Sequence, residues 1–113
     1  MECPYTEHEM VMATNEAADK VSEEEITKIA SFMNEFVTKN HMAYNRNNAD
    51  FNKAVAEFHG ISVVDLINSS NMEKLVDMYT VAIINKLIDD VEELNPNINS
   101  KVVWAMLFFN QKG

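Results

Sequence analysis

The sequence is poor in the residues that interrupt helices. Glycine and proline occur only twice each among 113 residues. These two residue types mark most of the turns and helix breaks in proteins. Their scarcity therefore favours helices joined by short connections along the whole chain.

Cysteine and long apolar runs are also nearly absent. The single cysteine, Cys3, excludes a disulfide bond within the chain. The longest apolar run, residues 102–109, has eight residues, whereas a helix needs about 20 apolar residues to cross a bilayer. Because no secretory signal peptide is visible either, we expect a cytoplasmic protein that does not associate with a membrane.

The rest of the composition is that of a globular protein. Hydrophobic residues make up 47% and charged residues 24% of the 113-residue chain, a length that suits one domain. We predict an all-α fold, a compact single-domain bundle of five or six helices. Residues 1–21 are expected to form an acidic N-terminal helical segment, frayed or dependent on a partner, and residues 22–113 to form the helical domain.

Capping signals and apolar periodicity place the helices. A Ser or Thr followed three residues later by Glu begins a helix in the capping-box pattern, and this pattern occurs twice near the N-terminus. Single Ser or Asn caps, with Gly60 and Pro96 as breaks, separate the later helices. The predicted helices begin after Thr6, Ser22, Asn47 or Asn48, Ser62 and Asn71, and a short apolar helix over 101–113 closes the chain.

The helix predicted over residues 71–94 is the expected spine of the fold. It has two apolar stripes, whereas a surface helix needs only one. We therefore expect a central helix, or one that contributes a face to an oligomer interface. The first stripe comprises Met72, Leu75, Val76, Tyr79, Ile83 and Leu87, and the second comprises Val81, Ile84, Ile88 and Val91.

The charge is strongly negative and unevenly distributed. The net charge is −9 at neutral pH. Residues 1–25 contain eight acids and one base, a net of −7, and residues 71–95 contain six acids and two bases, a net of −4. Such a potential repels phosphate groups and attracts basic partners. Solubility is the plainer explanation of the same charge.

The stretch AVAEFHGISVVDLINSS combines several features of a helical corner. Val55 and Ala56 supply an apolar and a small residue near the end of a helix, and Gly60 supplies the turn. Ser62 caps the following helix, in which Leu66 takes an inward position. In this pattern the stretch resembles the helix-turn-helix family. The resemblance implies two helices at a tight corner, the second of which reads DNA in the major groove.

The residue types of this stretch argue against DNA binding. Between Ala54 and Glu73 there is no lysine or arginine, and neutralisation of phosphates supplies much of the affinity of proteins for DNA. The carboxylate of Asp65 would face the phosphates unfavourably. We therefore expect the outward apolar residues of the second helix to contact protein or to fill the core. These residues are Val63, Val64 and Ile67.

No motif in the sequence indicates catalysis. A P-loop, a dinucleotide fingerprint and a nucleophile motif are all absent from the sequence. The three histidines do not combine with other side chains in the spacing of a metal site. We therefore expect a protein that is not an enzyme and that needs no cofactor or metal.

The leading hypothesis is a small acidic regulatory protein that acts by binding another protein. The expected partner has a basic surface and handles nucleic acid, for example a polymerase component or a nuclease. Small acidic helical proteins of phages that redirect or inhibit host machinery have this general character. Direct binding of nucleic acid is not expected. The candidate contact residues are Glu23, Glu24, Asp89, Asp90, Glu92 and Glu93, with Trp104 and Phe109 as apolar anchors.

Three alternatives remain open from the sequence. A DNA-binding transcription regulator would need basic residues beside the Gly60 turn, such as Lys39, Arg46 and Lys53. A DNA mimic would use spaced carboxylates to copy phosphates and would compete with DNA for the cleft of its partner. A structural homo-oligomer, such as a homodimer, would use the second stripe of the 71–94 helix as its interface.

Overall fold

The structure, a computed structural model, describes residues 3–42 and 48–112, with side chains up to Phe109. Over these residues it contains six α-helices and no β-strand, which confirms the predicted all-α fold. Each helix begins within one residue of the predicted position. The helices are α1 (Glu7–Lys20), α2 (Glu23–Lys39), α3 (Ala49–His59), α4 (Val63–Asn68), α5 (Met72–Leu94) and α6 (Ser100–Lys112).

Side-chain caps explain where several helices begin. The hydroxyl oxygen of Thr6 accepts a hydrogen bond from the backbone N–H of Glu9, and the Glu9 carboxylate accepts one from the backbone N–H of Thr6, so the first predicted capping box is complete. At the start of α3, the side-chain oxygen of Asn48 accepts from two backbone N–H groups. The alternative cap, Asn47, lies outside the described residues.

The chain divides into two compact units, which are described separately. The middle unit comprises residues 35–85, and the terminal unit comprises residues 2–34 and 86–113. Both α2 and α5 contribute residues to each unit. The predicted boundary between an N-terminal segment, residues 1–21, and a domain over residues 22–113 stays a prediction.

In the terminal unit, α1 packs against α6. Small and apolar side chains make this packing close: Met10, Ala13 and Ala17 of α1 are buried. Where the two helices begin, the hydroxyl of Tyr5 forms a 2.8 Å hydrogen bond with the hydroxyl of Ser100. The buried residues of α6 are Val102, Val103, Trp104, Ala105 and Leu107, so this short apolar helix belongs to the core.

The middle unit is built around an aromatic pair between α3 and α5. Phe51 is only 1% exposed, and its ring meets the ring of Tyr79 edge-on at a centroid distance of 5.9 Å. Burial raises the pKa of the Tyr79 hydroxyl above its ordinary value of 10.0, and the nearby negative charge of Glu57 raises it further. An imidazole nitrogen of His59 lies 2.9 Å from the carbonyl oxygen of Leu75 and ties the end of α3 to α5.

Helix α5 has buried residues on both of its predicted stripes, as expected of a central helix. In the second stripe, Val81 is exposed, whereas Ile84, Ile88 and Val91 are buried within the single chain. Little of that stripe is therefore available for the oligomer interface considered above. The buried residues of the first stripe are Val76, Tyr79, Ile83 and Leu87.

Candidate protein-binding surface

The first turn of α2 concentrates negative charge. Glu23, Glu24 and Glu25 are consecutive and exposed. The partial positive charge at a helix N-terminus favours carboxylates in this position. In addition, the hydroxyl oxygen of Ser22 accepts a hydrogen bond of 3.2 Å from the backbone N–H of Glu25, so local structure accounts for why the helix begins here.

The carboxylate of Glu25 reaches another part of the chain. The predicted capping box would turn this carboxylate back to the backbone of Ser22, but it instead accepts a 2.6 Å hydrogen bond from the side-chain amide of Asn95. Asn95 is only 6% exposed, and its amide oxygen also accepts from the backbone N–H of Asn97 at 2.9 Å. One buried side chain therefore holds the start of α2 beside the end of α5.

The last two turns of α5 are also acidic. Asp89 and Glu93 are exposed and lie four residues apart on one helix face, while Asp90 and Glu92 are half-buried. The last turn of α5 contains no basic residue. Because the partial negative charge at a helix C-terminus disfavours carboxylates there, the stability of the helix does not explain these residues.

Two apolar side chains lie within the same two segments. Leu94 is 53% exposed at the end of α5. Ile26 is 37% exposed in α2, although the apolar periodicity of α2 predicts an inward position for this residue. Together with the acids they define the acidic surface. Each of its residues lies within about 9 Å, measured along α2 or α5, of the hydrogen bond between Glu25 and Asn95. Its residues are Glu23, Glu24, Glu25, Ile26, Asp89, Asp90, Glu92, Glu93 and Leu94.

Few of these carboxylates are neutralised. Lys86 pairs with Asp90 one helical turn away, at 3.6 Å. Among the residues that the structure describes, the other five predicted acidic contacts have no ion-pair partner. The terminal unit as a whole has twelve acids and five bases, a net of −7. The acidic surface therefore offers charge to solvent and to partners.

The two predicted apolar anchors have different positions in α6. Trp104 is 9% exposed and belongs to the core, so its ring offers little surface to a partner. Phe109 is half-buried, and its ring lies edge-on to that of Phe108, which is exposed. Ile26 and Leu94, which sequence reasoning missed, therefore offer exposed apolar area that Trp104 does not.

The stretch that resembles a helix-turn-helix forms a tight corner between α3 and α4. Gly60 has a positive φ of 68°, the left-handed conformation that ends α3, and its backbone N–H donates to the carbonyl oxygen of Glu57. The hydroxyl oxygen of Ser62 then caps α4 by accepting from the backbone N–H of Asp65. Leu66 is fully buried, as predicted for an inward position.

Among the basic residues that a DNA-binding corner would need, Lys39 and Lys53 are exposed, and Arg46 lies outside the described residues. Helix α4 has only six residues, fewer than two turns. Its outward side chains are apolar, acidic or amide-bearing, and none is basic. The corner therefore has a helix-turn-helix outline without cationic groups on its second helix.

A shallow groove of about 720 Å³ lies along the exposed side of α5 in the middle unit. Its apolar part consists of Met78, Val81 and Ala82. Glu73, Lys74 and Asp77 contribute charges of both signs, but the lining contains no histidine or cysteine. The groove is an open helix face and does not gather the groups of a catalytic site.

The described residues provide neither a metal-binding cluster nor a membrane-spanning helix. In residues 3–42 and 48–112, no three His, Cys, Asp or Glu side chains are placed to hold a metal ion. Over the same part of the chain, no helix is long and apolar enough to span a bilayer. Comparison of the chain with protein-family models, curated proteins and solved structures gives no match.

Proposed function

We propose that this protein is a non-catalytic regulator that acts by binding another protein through the acidic surface. The observation that carries the proposal is the hydrogen bond between Glu25 and Asn95, which holds two acidic helix ends together. Acids at the end of α5 oppose the helix dipole, so selection for helix stability does not account for them. We propose that these acids serve to bind a basic partner.

The chemistry of the surface favours a basic partner. Clustered carboxylates attract a basic protein and speed its association, most strongly at low ionic strength. Exposed Leu94 and Ile26 add apolar area that a partner can desolvate. Proteins that handle nucleic acid, such as a polymerase component or a nuclease, have basic surfaces of the required kind. We propose such a protein as the target.

The test is capture of partners by the tagged protein from lysate of its host, at about 0.05 M and about 0.5 M salt. Screening at the higher concentration shortens the range of charge interactions to a few ångströms. One dominant basic partner, retained at low salt and lost at high salt, is the expected result. Capture that does not change with salt would contradict the proposal.

Charge reversal then locates the surface on the protein. Glu24→Lys with Asp89→Lys changes one acid on each helix of the acidic surface and raises the net charge from −9 to −5. We expect binding of the captured partner to weaken by about tenfold or more. The matched control, Glu35→Lys with Asp50→Lys, makes the same change of net charge in the middle unit and should have little effect. Equal loss with both pairs would show that net charge alone is responsible.

Competition with duplex DNA identifies the site on the partner. If the acidic surface enters a cleft that normally holds nucleic acid, DNA should displace the protein, as expected of a DNA mimic. If binding is unaffected by DNA, the surface contacts a different basic region of the same partner. The measurement is release of the protein from the immobilised partner as DNA is added.

A further inference from the structure

The outward face of α4 in the middle unit is apolar. Val64 is 66% exposed and Ile67 is 55% exposed. They lie three residues apart and so share one side of the helix. Half-buried Val63 adjoins them, while Leu66 points inward and is fully buried. We call Val63, Val64 and Ile67 the corner face.

Folding does not require the corner face to be apolar. The core of the middle unit is filled by other residues, including Phe51, Val55 and Leu66, each at most 1% exposed. Single exposed apolar residues are common on protein surfaces. Three apolar residues on one side of a six-residue helix are more than a single exposed residue, however, and they give a partner apolar area to bury.

The corner face is also held in place. Gly60 sets the turn between α3 and α4, and Ser62 caps α4. The contact of His59 with the carbonyl oxygen of Leu75 fixes the end of α3. A partner therefore meets a surface that is already ordered, and little further ordering of the face is needed on binding.

The charges around the corner face select its occupant. Asp65 in α4 and Glu57 in the last turn of α3 are exposed, and residues 54–73 contain no lysine or arginine. DNA would be repelled by these carboxylates. A second copy of the chain, meeting the same face across a two-fold axis, would bring one Asp65 towards the other. The complementary surface is apolar with a basic border.

We propose that the corner face binds an amphipathic helix of a partner protein whose apolar stripe is bordered by lysine or arginine. Residues three and four apart on the bound helix would form a ridge that packs beside Val64 and Ile67. The basic border would lie opposite Asp65 and Glu57. This site is separate from the acidic surface and does not depend on it.

The test is selection of binders from a displayed library of random peptides of about 16 residues, long enough for four helical turns. The full-length protein is immobilised as bait, and peptides that bind the support alone are removed. We expect the selected peptides to share apolar residues at spacings of three and four, with lysine or arginine beside them. Circular dichroism of the complex should show that the peptide becomes helical.

Variants then map the peptide on the protein. Ile67→Glu should weaken binding of a selected peptide by at least about tenfold, and Asp65→Lys should weaken it by several-fold. Met78→Glu places the same charge at an exposed apolar position of the α5 groove and should change binding by less than about twofold. The charge-reversed pair Glu24→Lys and Asp89→Lys should also leave peptide binding unchanged, which separates this site from the acidic surface.

Four results would overturn the proposal. One is the absence of any enriched peptide, and another is enrichment of peptides without basic residues. A third is equal loss of binding with Ile67→Glu and Met78→Glu. The fourth is a stable dimer in light scattering that Ile67→Glu converts to a monomer, because a second copy would then occupy the face.

Discussion

The terminal unit carries twelve acids against five bases, whereas the middle unit carries six acids against four bases. Their net charges are therefore −7 and −2. The terminal unit presents carboxylates at two helix ends, joined by the hydrogen bond between Glu25 and Asn95. The middle unit presents apolar side chains on α4. The two units thus offer different chemistry to a partner.

Because of this difference, the two proposed contacts should respond differently to a rise in salt concentration. Exposed charges are screened over a distance that shortens as salt rises, so contacts of the acidic surface should weaken. Burial of apolar area does not depend on charge, so contacts of the corner face should largely persist. A single partner that used both surfaces would keep part of its affinity at high salt.

The largest effect on stability is expected in the aromatic core of the middle unit. Phe51→Ala removes a fully buried ring and its edge contact with Tyr79, and should lower the free energy of unfolding by about 3–5 kcal/mol. The control is Phe58→Ala, since Phe58 also meets Tyr79 but is largely exposed. It should lose less than about 1.5 kcal/mol. Urea denaturation measures both losses, and equal losses would contradict the burial of Phe51 in the core.

The second-largest effect on the free energy of unfolding is expected in the terminal unit. Asn95→Ala removes the buried amide that joins Glu25 to the turn after α5, and should lower the free energy of unfolding by about 1–3 kcal/mol. It should also weaken partner binding, because the two acidic segments lose their connection. The control, Glu25→Gln, retains a hydrogen-bond acceptor and should lose less stability. If Asn95→Ala leaves both stability and binding unchanged, the acidic surface does not depend on this hydrogen bond.

The middle unit should also be sensitive to alkaline pH through Tyr79. Because burial and Glu57 raise the pKa of Tyr79 in the folded state, the folded protein keeps the phenol proton at a pH where the unfolded chain has released it. The resulting stabilisation is complete below about pH 10 and is lost as pH rises through the folded-state pKa. The fall is at most about 1.4 kcal/mol per pH unit for one proton.

Unfolding in urea at a series of pH values between about 9 and 11 measures this loss. Tyr79→Phe should flatten the alkaline fall. Tyr5→Phe in the terminal unit removes the hydrogen bond to Ser100 and should leave the fall in place. An unchanged pH profile in Tyr79→Phe would assign the sensitivity to other groups.

The smallest effects are expected at two helix ends in the middle unit. Gly60→Ala should lower the free energy of unfolding by about 1 kcal/mol, because φ is positive there although the added methyl group meets no atom within 4 Å. His41 also has a positive φ, of 54°, at the end of α2. His41→Gly should therefore raise stability by up to about 1 kcal/mol. Thermal unfolding of the two variants should show shifts of opposite sign, and shifts of the same sign would contradict the assigned backbone conformations.

The helices could be predicted from the sequence because their signals are local. A cap such as Thr6 or Ser62 acts within three residues of itself, and the turn at Gly60 depends on one backbone angle. Apolar periodicity predicts the burial of individual residues less reliably. Ile26 follows the apolar stripe of α2 but is exposed, since the stripe of a helix extends beyond the part that packs.

The candidate site was only partly predictable. The acids of α2 and α5 are visible in the sequence, but Glu25 and Asn95 are separated by 70 residues and no local pattern links them. A short apolar helix has the same pattern whether it is buried or docked on another chain, so the sequence allows Trp104 both in the core and as an apolar anchor. Its burial in α6 depends on packing that the sequence pattern does not specify.

The most direct test of the acidic surface as the binding site is hydrogen–deuterium exchange of the protein alone and bound to its captured partner. If the acidic surface is the contact, exchange should slow in the first turns of α2 and in the last turns of α5 and the turn that follows. The central part of α3 serves as an internal reference and should not change. Slower exchange confined to the middle unit, with the two acidic segments unaffected, would contradict the proposed function.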